Sequence, residues 1–181
     1  MKTFDLRLYA LIDPANCAGH DPVELAAALA GSGASLIQLR DKSAKTRAMV
    51  ALARAVKAAL AGSGVPLLIN DRVDVALAAG ADGVHLGQSD MEAADARRIL
   101  GPDAIIGITV RTEAEARAAD LEASDYVGLG GVFATSSKQN ETPPIGIDGL
   151  KHLSGLIRER RAGMPLVAIA GIDASNAASV I

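Results

Sequence analysis

The stretch LYALIDPANCAGHDP, residues 8–22, decides between two ways of folding a parallel sheet. Residues 8–13 read as a short buried strand, and DPANCAGHDP reads as the turn that leads into a helix. An open, doubly wound sheet commonly advertises a G-x-G-x-x-G turn at this point. The turn here carries Gly19 alone and has no such pattern. The choice therefore passes to the other strand ends.

Outward from that turn, strand and helix alternate along the whole chain. SLIQLRD (35–41), VPLLIND (65–71), DGVHLG (82–87), AIIGITV (104–110), DYVGLGGV (125–132) and PLVAIAG (165–171) read as six further strands. Helical patterns lie near 22–32, 46–61, 72–79, 91–100, 113–122, 148–161 and 174–181. Parallel strands need crossover helices of this kind, which cover both sheet faces. Polar or charged residues close strand after strand, as they do where a barrel's active site is built from many strand ends. The expected fold is an α/β, (β/α)8 TIM barrel, a single domain over residues 1–181. Seven strands are visible and the eighth is absent from these residues, so the barrel is expected to be truncated at its C-terminal end.

Composition narrows the partners. Half of the 181 residues are hydrophobic but only 2% are aromatic, so Ala, Val, Leu and Ile must build the core. A net charge of −3 gives no global basic field for nucleic acid or an acidic membrane. The single Cys17 excludes an internal disulfide and fits a reducing compartment. No apolar stretch reaches the roughly 18 uncharged residues of a membrane span. The opening MKTFDLRLYALID carries charge where a signal peptide needs its apolar centre. The expected setting is the cytoplasm, and nothing in the sequence reports an oligomeric state.

The strand ends suggest chemistry. In 35–41 and the residues beyond, Gln38, Arg40 and Lys42 alternate, so an extended chain sets them on one face with Leu36. Two cations and an amide after a buried start suit an anion, with the guanidinium as a planar fork and the ammonium as a compact charge. Asn70 and Asp71 follow the third strand and read either as helix caps or as site residues. Ser89, Asp90 and Glu92 follow the fourth and read equally as a capping box with an acid in its first turn. Taken together, Asp71 and Asp90 follow neighbouring strands beside a cationic strand end, an arrangement for Mg2+ on a phosphorylated ligand. Thr109 and Arg111 share a face at the fifth strand's end, where Thr109 reads as a phosphate donor or an ordinary β-branched strand residue. After the sixth, Thr135, Ser136, Ser137 and Lys138 gather donors in a loop of some fifteen residues, read as an anion site or a plain linker. Gly171 at the seventh could expose backbone N–H groups. His85 reads as lining or packing the barrel, and His20 and His152 as surface residues.

QLRDK, IND, DGVHLGQSD, DYVGLGGVFATSSK and AIAGI, in this order, resemble the thiamine phosphate synthase family over nearly the entire chain. The resemblance implies a transferase joining 4-amino-2-methyl-5-(diphosphooxymethyl)pyrimidine to a thiazole ethyl phosphate, with Mg2+ and release of pyrophosphate. Gln38, Arg40, Lys42 and Asn70 would hold the pyrimidine diphosphate, and Asp71 and Asp90 the Mg2+. Thr135, Ser137 and the backbone of Gly171 would hold the thiazole phosphate, with Lys138 on the diphosphate. Thr109 stands where the family usually has Ser, Arg111 where His is common, and Ser137 where Thr is frequent. GGVFAT replaces Gly-Pro-x-Phe-Pro-Thr, and the family's last Ser-bearing phosphate loop has no match here. A thiazole tautomerase-like isomerase and a non-catalytic thiamine phosphate-binding barrel remain as alternatives. The isomerase would need neither Asp71 and Asp90 nor the full Gln38, Arg40 and Lys42 set, whereas the missing eighth strand and the departures at Thr109, Arg111 and Ser137 suit the non-catalytic barrel.

Overall fold

Most short apolar runs in this chain are buried, and among the described residues six of the seven strands they form are followed by an α-helix. In a computed structural model, which describes residues 4–135 and 143–181, this gives two compact units. The first comprises Met1–Leu86 with Asp90–Ile106, and the second Gly87–Ser89 with Gly107–Ile181.

In the first unit, strands β1 (Tyr9–Ile12), β2 (Leu36–Leu39), β3 (Leu67–Asn70) and β4 (Gly83–Leu86) pair in chain order, every pair parallel. The register aligns Leu11 with Gln38, Gln38 with Leu68, and Asn70 with His85. One face therefore carries Tyr9, Gln38, Asn70 and His85, and the other carries Ile12, Ile37, Leu39, Ile69 and Val84. Helices α1 (Pro22–Gly31), α2 (Thr46–Ala59), α3 (Val73–Ala79) and α4 (Ala93–Leu100) follow the strands in turn. α1 starts where it does because Asp21 accepts the amides of Val23 (2.8 Å) and Glu24 (3.1 Å), with Pro22 at the first helical position. α2 buries Met49, Ala53 and Val56 along one stripe. A β-carbon on Gly83 would stand 1.8 Å from the Ile105 carbonyl oxygen, so only glycine allows that approach.

β5 (Ile105–Val110) begins in the first unit and runs into the second. There it pairs in parallel with β6 (Tyr126–Gly130), which pairs in parallel with β7 (Leu166–Ile169). Gly107 has no side chain because the buried Tyr126 ring fills that space, 2.0 Å from where a β-carbon would sit. α5 (Glu113–Ala118) and α6 (Gly146–Arg160) flank these strands. Arg160 closes α6 onto α5, donating to the carbonyls of Ala116 (2.6 Å) and Ala119 (2.8 Å).

The alternation of seven strands with helices, and their parallel pairing within each unit, agree with the reading from sequence. The helix expected over 174–181 does not form; a short 3-10 turn, Ala177–Ser179, stands there. Asp173 and Asn176 take each other's neighbourhood instead: the Asp173 carboxylate accepts from the Ser175 amide and hydroxyl, and the Asn176 side chain donates to the Gly171 carbonyl. Such side-chain bonds compete with the helical ladder.

Candidate active site

β2 ends at Leu39, two residues earlier than its sequence suggests. The cause is Asp41, whose Oδ1 accepts from the Ser43 amide (2.9 Å), the Ser43 hydroxyl (3.0 Å) and the Ala44 amide (2.8 Å), turning the chain. Gln38, Arg40 and Lys42 therefore do not alternate along one strand rim. Gln38 lies inside, 1% exposed, its amide donating to the Tyr9 hydroxyl at 2.5 Å. The Tyr9 ring meets His85 edge-on, centroids 6.5 Å apart, so these side chains form one polar face, with Gln38 and His85 buried and Tyr9 partly exposed. His85 lines this face, as expected. Arg40 and Lys42 lie beyond the strand. The Arg40 amide donates to the Ile12 carbonyl at 2.8 Å, and its guanidinium pairs with the Asp13 carboxylate.

The two helix-cap readings fail, which leaves the acids without that structural duty. α3 begins at Val73 with Arg72 as its cap residue and no side-chain cap bond, so neither Asn70 nor Asp71 caps it. Asp71 instead has φ +62°, and the Arg72 amide donates to the Asn70 carbonyl at 2.7 Å across it, a three-residue turn. The Asp71 amide donates to the His85 carbonyl at 2.8 Å, tying the turn to β4. A non-glycine residue in that conformation is held against its own preference, a pattern that clusters at functional sites. The Asp71 carboxylate receives the Lys42 ammonium. α4 begins at Ala93, capped by Glu92 without a side-chain bond, so the Ser89–Glu92 box does not form and Asp90 precedes the helix. Asp74, in the first turn of α3, pairs with Arg72, which holds its carboxyl below the usual range.

Among the described residues, no three acidic, histidine or cysteine side chains gather as a metal-ligand group. Two hard carboxylates following consecutive strands nonetheless fit Mg2+, which takes one or two carboxylates and completes its shell with water and phosphate. The turn at Asp71, tied to β4 through the His85 carbonyl, fixes where such a ligand would stand.

In the second unit, Thr109 is buried in β5, and its carbonyl accepts from the Gln88 amide. Just beyond the strand, the Arg111 amide donates to Glu115 Oε2 at 2.6 Å, while the Thr112 hydroxyl oxygen accepts the Glu115 amide at 3.2 Å. This Thr-x-x-Glu pattern was available in the sequence as a capping signal and fixes how the chain leaves β5. Gly171 has φ +64°, and a β-carbon there would lie 2.4 Å from the Ala134 carbonyl oxygen. Phe133 donates its amide to the Ala170 carbonyl at 3.0 Å, so the strand ends of β6 and β7 are sewn together two residues before Thr135. Ala134, the neighbour of Thr135, thus lies against Gly171. Ser137 and Lys138 lie outside the described residues. Sequence reasoning passed over Asp13, Tyr9 and Asp41; a carboxylate or phenol on the preceding strand was the only signal for the first two.

The family model described as thiamine monophosphate synthase matches residues 8–181. A thiamine-phosphate synthase of Agrobacterium fabrum is 53% identical over 100% of this chain and 82% of its own length. A probable thiamine biosynthetic bifunctional enzyme of Oryza sativa, chloroplastic, is 46% identical over 99% of this chain and 32% of its own. Among solved structures, a thiamine phosphate pyrophosphorylase from Pyrococcus furiosus superposes with a TM-score of 0.81 at 34% identity, covering 97% of this chain and 80% of that one. With a family match along nearly its whole length, the chain belongs to the thiamine monophosphate synthase family of transferases.

Proposed function

We propose that this chain joins 4-amino-2-methyl-5-(diphosphooxymethyl)pyrimidine to a thiazole ethyl phosphate and releases pyrophosphate. One observation carries the reading beyond family membership. Lys42, assigned to the diphosphate, and Asp71, assigned to the metal, are in contact in the first unit. A metal-bridged diphosphate needs its cationic partner and its metal carboxylate at one place. The finer fold reading, a (β/α)8 barrel forming a single domain, and a cytoplasmic setting belong to the same proposal. Its support is the strand–helix alternation and the polar residues following strand ends. Among the described residues, no helix is long and apolar enough to cross a membrane.

The reaction breaks the bond between the pyrimidine methylene and the diphosphate oxygen. The electron pair leaves with pyrophosphate, and the aminopyrimidine spreads the resulting positive charge over its ring. The thiazole nitrogen then supplies its lone pair to that methylene. Gln38 and Asn70 hold the pyrimidine, over the polar face that Tyr9 and His85 complete. Arg40, Lys42 and Lys138 offset the charge that develops on the leaving group, where preorganised contacts act most strongly. Thr109 donates its hydroxyl to a phosphate oxygen. Thr135, Ser137 and the Gly171 backbone hold the thiazole phosphate. Mg2+, held by Asp71 and Asp90, would add positive charge against the departing pyrophosphate.

Pyrophosphate release tests this directly. Release that requires both substrates supports the synthase. Thiazole isomerisation without release would assign the tautomerase-like alternative, and tight binding with neither reaction a non-catalytic barrel.

A further inference from the structure

We propose that Asp13 is a positioning residue for the diphosphate: it aims the Arg40 guanidinium and never touches the substrate itself. The proposal rests on the diphosphate reading of Arg40 and adds to it a residue from a different strand end.

Asp13 is unusually well placed to do this. It follows β1 directly and caps the 3-10 turn Pro14–Asn16, where Pro14 restricts the backbone. Its carbonyl accepts from the Asn16 amide (2.8 Å) and the Cys17 thiol (3.1 Å). Its Oδ1 accepts the Ala15 amide at 3.1 Å, which fixes the plane of the carboxylate. The other oxygen, Oδ2, is left for Arg40 Nη1. The Arg40 backbone is tied to the same strand end through the Ile12 carbonyl at 2.8 Å. Both side chains are largely removed from water, Arg40 18% and Asp13 16% exposed. The guanidinium makes no other hydrogen bond among the described residues. A guanidinium has five N–H donors in a rigid plane. Holding it by one nitrogen orients the remaining edge without consuming it.

The contrast with Lys42 sharpens the point. Lys42 is 56% exposed while Asp71 is 13% exposed, so that ammonium can leave its partner for another anion. Arg40 is a fixed clamp and Lys42 a movable arm.

Two opposite effects of Asp13 on an anion can be separated. As a bare negative charge it repels phosphate, so removing it would tighten binding. As a positioning residue it must do the reverse. The probe is inorganic pyrophosphate with Mg2+, titrated by calorimetry into the full chain and into Asp13→Asn, Asp13→Ala, Arg40→Ala and the Asp13→Ala/Arg40→Ala pair. Asp13→Asn keeps the shape of the side chain and guards against a folding defect, which thermal unfolding checks. The expected result is about 10- to 100-fold weaker binding for both Asp13 variants, the span produced by losing a hydrogen bond to a charged group. Adding Asp13→Ala to Arg40→Ala should cause no further loss, because Asp13 acts through Arg40. Unchanged or tighter binding in Asp13→Asn overturns the proposal, as does an equal loss in both backgrounds. If the parent chain binds no pyrophosphate, or Arg40→Ala binds it as well as the parent, the diphosphate reading itself falls and takes this proposal with it.

Discussion

Asp71 is the residue at which conformation and chemistry conflict. Its φ of +62° suits glycine, yet an aspartate stands there with its amide anchored to His85 and its carboxylate on Lys42. If function keeps the side chain, stability and turnover should separate on substitution. Asp71→Ala and Asp71→Gly should both lose Mg2+-dependent turnover by at least about a hundredfold, the loss of one preorganised charge contact. The glycine variant should nonetheless be more stable than the alanine variant by about 1 kcal/mol, because only alanine pays for the left-handed backbone. Denaturant titration of the two variants checks this; equal stabilities would mean the turn relaxes and holds nothing in place. Asp41 gives a second, pH-dependent test. Burial pushes its carboxyl up, but hydrogen bonds from the Ser43 and Ala44 amides and the Ser43 hydroxyl outweigh that and hold it below the usual 3.8. A depressed carboxylate contributes stability that is complete above its unfolded value and lost as pH falls through the lower folded one. Acid below about pH 4 should therefore loosen the turn that carries Lys42. Asp41→Asn should flatten that part of the stability-versus-pH curve, measured by unfolding at pH values on both sides of it.

Elements follow a different logic, since their ends are set by side chains reaching for nearby backbone. The positions of β2, β3 and β4 were legible in SLIQLRD, VPLLIND and DGVHLG because apolar runs of that length can only be buried. Their ends were not. Asp41 cuts β2 short, and α3 and α4 start at Val73 and Ala93 without the caps that Asp71 and Ser89 offered. Periodicity reports which segments are buried and says nothing about which of several acids will cap, turn or remain for a ligand. The same limit explains the site. QLRDK marked the cations, but the acid partnering Arg40 sits 27 positions earlier, just past the end of another strand. Only pairing in space joins them. Between β6 and β7 the join is made by Gly171, whose missing β-carbon admits the Ala134 carbonyl. Gly171→Ala combines a disfavoured φ with that collision, so it should cost more than about 1 kcal/mol and raise the KM for thiazole phosphate. Unfolding and steady-state kinetics check the two halves separately; an unchanged KM would detach this strand end from the phosphate.

For the molecule as a whole, a net charge of −3 means that no long-range field gathers an anionic substrate. Attraction must come from the strand ends, and there Arg40 and Lys42 are already paired with Asp13 and Asp71. A diphosphate arriving alone would have to compete with the Asp71 carboxylate for Lys42. A divalent ion on Asp71 and Asp90, as proposed, would change the balance by occupying the carboxylate that holds Lys42. Metal and anion should therefore favour each other, and thermodynamic linkage requires the same factor in both directions. Mg2+ should tighten pyrophosphate binding by about tenfold or more, within the usual span of coupling between sites, and pyrophosphate should tighten Mg2+ equally. Lys42→Ala gives the test its sign. With the ammonium gone, Asp71 has no internal competitor, so Mg2+ alone should bind more tightly. Pyrophosphate in the presence of Mg2+ should bind more weakly, having lost a donor. Calorimetric titrations of each ligand, alone and with the other saturating, measure all of these. If Mg2+ binds parent and variant alike, the Lys42–Asp71 pair does not compete with the metal, and the exchange that would free Lys42 for the leaving group does not occur.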